Sequence, residues 1–250
     1  MILNVQQQHW NKTYSEAPDF FGEEPSFAAR KAAAEFKKQG KSKILELGAG
    51  QGRDTLFFAK NGFQVYALDY SENGVESIKQ TAKQLGVSQL VTAVCHDIRK
   101  PLPFEDAFFD ACYCHMLYCM AFCTGELDSL FREVKRVLRP SGLNIFTVRN
   151  TTDAHYKKGI PRGEDMYEVG GFIVHFFSAE KVKELAKDYD MIAIDEFEEG
   201  ELPRKLFLVM LRKGGNPAAA TSAVAEMANL ASDGTSCGFT SKLKSGSGHK

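Results

Sequence analysis

Short apolar runs alternate along this chain with stretches whose apolar residues recur every three or four positions. The first pattern reads as strands buried in a sheet, the second as helices lying on it. Strands are predicted at 43–47 (KILEL), 63–68 (FQVYAL), 90–95 (LVTAVC), 109–114 and 143–148, with two more at 191–197 and 206–211. Helices are predicted at 26–38, 53–61, 71–85, 126–138 and 178–188. Ser71 and Ser178 stand as N-caps, Gly62 and Gly86 as stops, and Arg139-Pro140-Ser141-Gly142 as the turn closing the helix 126–138. Strand–helix alternation of this kind predicts an α/β fold: a Rossmann-like, doubly wound, mostly parallel sheet with helices on both faces. No helix separates the last two strands, which predicts one antiparallel strand at the sheet edge.

Composition narrows the picture. A chain of 250 residues can bury a large core without disulfides. Lys+Arg is 31 against Asp+Glu 32, which excludes a strongly basic nucleic-acid coat. The helix 26–38 with Lys41 and Lys43 is basic on one side, but without interleaved aromatics it reads as a solvated face, so a nucleic-acid partner is not expected. No apolar run of roughly 18 residues occurs, so no membrane span is expected, and the first residues lack a secretory pattern. Of six cysteines, five lie between Cys95 and Cys123 and the other is Cys237. They do not space like a disulfide framework, and a reducing cytoplasm is the expected location. Cys112, Cys114, Cys119 and Cys123 lack zinc-knuckle spacing and read as small buried side chains, with no metal expected. Residues 1–213 read as one domain, and 214–250, about half Gly, Ala and Ser, as a flexible tail.

The most informative segment is ILELGAGQGRDT, residues 44–55. A buried strand runs into Gly48-Ala49-Gly50-Gln51-Gly52, and a helix follows. Glycines here permit a left-handed turn and let a ligand approach the backbone, while the helix N-terminus offers free N–H groups. Asp69 follows the second strand, placed for two ribose hydroxyls. Asp97 follows the third, within reach of an adenine amino group. A dinucleotide site wants its third glycine three residues after the second; here the gap is two and position 53 is Arg. Glu46, beside the turn, would repel a pyrophosphate and attract an ammonium. Spacing and charge therefore favour S-adenosylmethionine over NAD.

At these residues the chain resembles the class I S-adenosylmethionine-dependent methyltransferases. Glu46-Leu47-Gly48-Ala49-Gly50-Gln51-Gly52 matches their first motif. Leu68-Asp69-Tyr70-Ser71, His96-Asp97-Ile98, Phe109-Asp110-Ala111 and 137–142 are similar to their later ones. Residues 50–62 and the N-terminal Trp10, Tyr14 and 21–26 resemble TehB-like small-molecule methyltransferases and thiol methyltransferases. The resemblance implies a seven-stranded sheet with an antiparallel seventh strand, Tyr70 and Ile98 flanking the adenine, and residues 1–25, with Trp10 and Tyr14, covering the cofactor.

The same resemblance turns the end of the fourth strand toward the substrate. His115 is the candidate to orient an acceptor or take its proton, and Tyr118 a candidate contact. Residues 149–177 show little periodicity and read as a glycine-punctuated substrate lid. Within it Arg149, placed to bind an acidic acceptor, His155 and His175 are candidate substrate contacts. The expected activity is methyl transfer to a small molecule of thiol, metalloid, amine or carboxylate type, by a monomer or homodimer. A protein or nucleic-acid methyltransferase, and a cofactor-binding regulator without catalysis, are the alternatives.

Overall fold

The computed structural model describes residues 2–17, 20–200 and 204–214. The chain opens with a helix that the pattern did not predict, α1 (Ile2–Glu16). Its inner face is marked by Gln6, Trp10 and Tyr14, spaced four apart, so they stack along one side. Between these positions it is too polar to announce itself by hydrophobicity. Then follow α2 (Phe27–Lys38), β1 (Lys43–Leu47), α3 (Arg53–Lys60), β2 (Gln64–Asp69), α4 (Glu72–Gln84) and β3 (Val91–Cys95). Next come β4 (Phe109–His115), α5 (Thr124–Val137), β5 (Leu138–Arg149), β6 (Ile160–Gly163), β7 (Met166–Val169), β8 (Phe172–His175), α6 (Ala179–Leu185), β9 (Asp190–Glu199) and β10 (Arg204–Arg212).

Seven strands pair in the order β3-β2-β1-β4-β5-β10-β9. The first five are parallel, and β10 runs antiparallel to both β5 and β9. This is the expected mostly parallel seven-stranded sheet. Its reversed strand lies one place in from the edge strand β9. The chain crosses from β3 back to β4 on the far side of β1, so the order switches between β1 and β4, where an open α/β sheet leaves a crevice at the strand ends. Ala28, Ala29, Ala32, Ala33 and Phe36 of α2 and Phe58 of α3 cover one face. Leu127, Leu130, Phe131 and Val134 of α5, with Val182 and Leu185 of α6, cover the other.

Two readings of the loops change. Residues 139–142 do not form a turn ahead of a strand; they bulge within β5, whose pairing with β4 jumps from Leu138 to Leu143. Ser141 takes a positive φ of 60° there. The segment read as an aperiodic lid contains a three-stranded antiparallel sheet, β6-β7-β8. Its hairpin corners are Glu164-Asp165 and Gly170-Gly171, all with positive φ, as tight hairpins demand. Strands of four residues are too short to reveal their alternation in sequence. The tail reading beyond Gly214 and Cys237 lie outside the described residues. Among the described residues no helix is long and apolar enough to cross a membrane.

Candidate active site

A cleft of about 590 Å³ opens at the switch between β1 and β4. The turn after β1 forms its floor. Gly48 and Ala49 donate their N–H groups to the Leu68 carbonyl, at 2.8 and 3.1 Å. Gly50 N–H donates to Asp69 Oδ2 and Ser71 N–H to Asp69 Oδ1, each at 2.8 Å. One carboxylate thus pins the glycine turn to the start of the loop after β2. A Cβ on Gly50, at φ +55°, would stand 3.0 Å from the Tyr14 hydroxyl. A Cβ on Gly52, at φ +92°, would stand 2.6 Å from Ile78 of α4. Gly50 therefore keeps the turn open beneath α1, whereas Gly52 lets α3 and α4 pack and does not itself line the cleft.

Of the residues read as cofactor-binding, Trp10, Tyr14, Glu46, Gly48, Ala49 and Gly50 line this cleft, as do Asp69, Tyr70, Asp97 and Ile98. Burial raises the Asp69 carboxyl above its ordinary range, and the two N–H groups act against it. Glu46 is pushed up to about 8, first by burial and then by the nearby Asp54 charge; Thr55 Oγ1 donates to it. Burial also raises the Tyr14 hydroxyl. Asp97 is already committed: Arg99 Nε and Nη2 reach its two oxygens at 2.8 and 2.6 Å. Those contacts outweigh partial burial and hold its carboxyl below the usual range. An adenine amino group at Asp97 would share that carboxylate with Arg99.

At the other end His115 lines the cleft from the tip of β4. Both ring nitrogens are engaged, Nε2 with Glu199 Oε2 of β9 at 3.1 Å and Nδ1 with Thr147 Oγ1 of β5 at 3.0 Å. Thr147 Oγ1 also accepts the Met116 N–H at 2.9 Å. Burial raises the Glu199 carboxyl, but the His115 contact outweighs it and the net direction is down. Beside them Asp54 accepts from Ser26 N–H and Oγ, from the Tyr113 hydroxyl and from Arg53 Nε. Burial pushes Asp54 up, and Arg53 and these donors bring it below its ordinary value.

Four expected substrate contacts stand elsewhere. Tyr118 is fully buried and packs on Phe131 and Phe146 in the core. Arg149 is buried in a two-pronged ion pair with Asp153 and is not free for an acidic acceptor. His155 Nδ1 accepts from Arg149 Nη2 at 2.9 Å. His175 is buried, its Nδ1 donating to the Phe122 carbonyl at 2.8 Å while Lys181 donates to Nε2. Burial and the Lys181 charge lower its pKa to about 4, so the ring stays neutral and acts as a strut. None of the four lines the cleft. Sequence spacing could place them near strand ends but not show which partners would claim them.

The reading missed Arg53, Asp54, Thr147, Glu199 and Gln6. Arg53 and Asp54 sat within the quoted glycine motif. Glu199 lies 84 residues from His115, in an acidic run that looks like a solvated edge. Gln6 joins the cover to the second sheet: its Nε2 donates to the Gly171 carbonyl at 2.9 Å and its Oε1 accepts the Ile173 N–H at 3.3 Å. Trp10 and Phe172 rings meet alongside, 4.9 Å between centroids. Among the described residues no group of three or more His, Cys, Asp or Glu side chains is placed to hold a metal ion.

Residues 44–142 match the Methyltransf_25 family, described as a methyltransferase domain. This part of the chain is a methyltransferase domain. The methyltransferase domain is similar to the biotin biosynthesis bifunctional protein BioHC of Saccharophagus degradans, 35% identical over 105 residues, which are 42% of this chain and 18% of that one. It is also similar to the sarcosine/dimethylglycine N-methyltransferase of Halorhodospira halochloris, 33% identical over 107 residues, 42% of this chain and 37% of that one. The chain thus spans well under two thirds of the length of these relatives. In fold it is similar to the 1,6-didemethyltoxoflavin-N1-methyltransferase of Burkholderia thailandensis, a structure with bound S-adenosylhomocysteine, at a TM-score of 0.67 and 19% identity over 85% of this chain and 88% of that one.

Proposed function

We propose that this protein transfers the methyl group of S-adenosylmethionine to a small molecule. The observation that carries the reading is the convergence of Glu46, Asp69 and Asp97, from the ends of β1, β2 and β3, with the glycine turn on one cleft. The fit to the methyl donor rests on chemistry. Asp69 keeps acceptor capacity beyond its two N–H bonds and suits ribose hydroxyls. Glu46 lies in an acidic pocket that suits an ammonium, and Tyr70 and Ile98 offer walls to an adenine. The donor brings a methyl group already activated on a sulfonium, so the chain's own task is to hold, align and keep water away.

A small acceptor is favoured over a macromolecule because α1 roofs the cleft. Trp10, Tyr14 and Phe21 line it from above. A roof of this kind suits a molecule that can be enclosed, and it accords with the TehB-like stretch at residues 50–62. The test is a reaction of the purified protein with methyl-labelled S-adenosylmethionine and a metabolite extract, followed by mass spectrometry. A labelled small molecule is expected. Label found solely on protein or nucleic acid in a whole lysate would transfer the reading to a macromolecular acceptor, and binding of the donor without any product would make the protein a regulator.

A further inference from the structure

We propose that Glu46 is a proton-exchange site: without ligand its carboxyl holds a proton, and the ammonium group of the methyl donor takes that proton's place, so that binding releases one proton. This rests on the reading of the protein as a methyltransferase and adds how the site selects a nucleoside that bears an amino group.

Glu46 stands near the end of β1, is 3% exposed and lines the cleft. Its Oε2 meets the Thr55 hydroxyl from α3. Among the described residues nothing donates to Oε1, so that oxygen is left for what occupies the cleft. Arg53, the cation that lies nearby, pairs with Asp54 instead, at 3.1 Å. A carboxylate buried with one neutral donor and no counter-ion is costly, and such a group takes a proton rather than a charge. The titratable groups around it are Asp54 and Arg53 from α3, Asp69 from the end of β2, and Cys112 and Tyr113 from β4. Asp54 is held ionised by Arg53, Ser26 and Tyr113, so its charge stands against a second anion beside it. Burial and this neighbour place the Glu46 carboxyl at about 8, with Thr55 and Arg53 acting the other way.

An ammonium against Oε1 reverses the balance, because an opposite charge at contact favours the carboxylate. The carboxyl O–H bond breaks and its proton leaves to solvent. The ammonium keeps its hydrogens and donates one to the carboxylate. Thr55 suits both states, since a hydroxyl can receive the acid's hydrogen or give its own. The site gains the ligand's positive charge and gives up the proton's, so no net charge is added to a buried place. A nucleoside without the amino group leaves the acid protonated. Asp69, which suits the ribose, is shared by both kinds of ligand and cancels from the comparison.

Calorimetric titration in buffers of different ionisation enthalpy counts the protons. The ligands are S-adenosylhomocysteine and 5′-methylthioadenosine, which keeps adenine, ribose and thioether but lacks the amino-acid part. At about pH 6.5 the α-ammonium is intact. Wild type is expected to release close to one proton with S-adenosylhomocysteine and none with 5′-methylthioadenosine. Its affinity for S-adenosylhomocysteine should rise about tenfold from pH 6 to pH 7, the change that one released proton dictates, while that for 5′-methylthioadenosine stays level. E46Q, which mimics the protonated acid, should bind 5′-methylthioadenosine as wild type does and S-adenosylhomocysteine without proton release or pH dependence. S-adenosylhomocysteine binding with no proton released by wild type overturns the proposal alone. So does release that persists in E46Q or that is equal for the two ligands. No binding of S-adenosylhomocysteine at any pH sinks the methyl-donor reading, and the proton exchange with it.

Discussion

At the end of the cleft proposed for the donor, main-chain groups and one carboxylate within one stretch of sequence do the positioning; at the end proposed for the acceptor, side chains from distant elements do it. Gly48, Ala49 and Gly50 are held by the Leu68 carbonyl and the Asp69 carboxylate, all within a single β–α–β unit. His115 is held by Thr147 and Glu199, from β5 and β9, and the roof is α1 fastened to β8. The first arrangement is thus fixed by local geometry, the second by the long-range pairing that brings β4, β5 and β9 together.

The sharpest test of the donor half is Asp69→Ala. It removes the acceptor from two N–H groups, and each buried orphan costs about 1–3 kcal/mol. A loss near 3 kcal/mol in stability is expected by denaturant melts, with a roughly ten- to hundredfold weaker S-adenosylhomocysteine affinity by calorimetry. An unchanged midpoint and affinity would show that the turn holds itself.

Glu46 supplies a pH-dependent measure of the same half. Its folded pKa of about 8 lies above the ordinary 4.5, so the folded protein holds a proton that the unfolded chain releases between those values. Stability without ligand should fall as pH rises through that window and level off above it. Glu46→Gln should abolish this decline, leaving the variant more stable than wild type by on the order of 4 kcal/mol at about pH 8 and equal to it near pH 4. Parallel stability curves from thermal melts at both pH values would contradict the buried-acid account.

Between the two ends lies the joint of Ser26, Asp54 and Tyr113, which ties α2 and α3 to β4. Tyr113→Phe removes a buried hydroxyl placed 3.0 Å from Asp54 Oδ2 and 2.9 Å from Ser26 Oγ. A loss of about 1–2 kcal/mol is expected by urea titration. A neutral result would mean that Ser26 and Arg53 satisfy Asp54 by themselves.

The smallest effect belongs to the roof. Gln6→Ala cuts the contacts to Gly171 and Ile173, at about 1 kcal/mol. Hydrogen exchange should quicken together in 6–16 and 166–175 and be unchanged in α5. Exchange that quickens in one segment alone would show that α1 and β7–β8 do not move as a unit.

How much of this was legible follows the same division. KILEL and FQVYAL announce parallel strands buried inside the sheet, LVTAVC proves to be the partly exposed edge strand, and the glycine spacing with three acids marks the proposed donor site. Of the proposed acceptor end only His115, which lines the cleft, was legible, since its partners are set by the pairing of β5, β10 and β9, which no local pattern encodes. Tyr118 and Arg149 were misassigned for the complementary reason. A tyrosine past a strand end and an arginine at one look available until Phe131, Phe146 and Asp153 are seen around them. The helix α1 was hidden because its inner face includes a glutamine, and the three-stranded sheet because each strand spans four residues.

The claim beneath all of this is that the glycine turn, Glu46 and Asp69 form a site for S-adenosylmethionine rather than for a dinucleotide. Calorimetric titration of the purified protein with S-adenosylhomocysteine and, separately, with NAD tests it without knowledge of the acceptor. The account predicts saturable binding of S-adenosylhomocysteine at micromolar strength and no heat from NAD. Micromolar binding of NAD with no S-adenosylhomocysteine signal would contradict it.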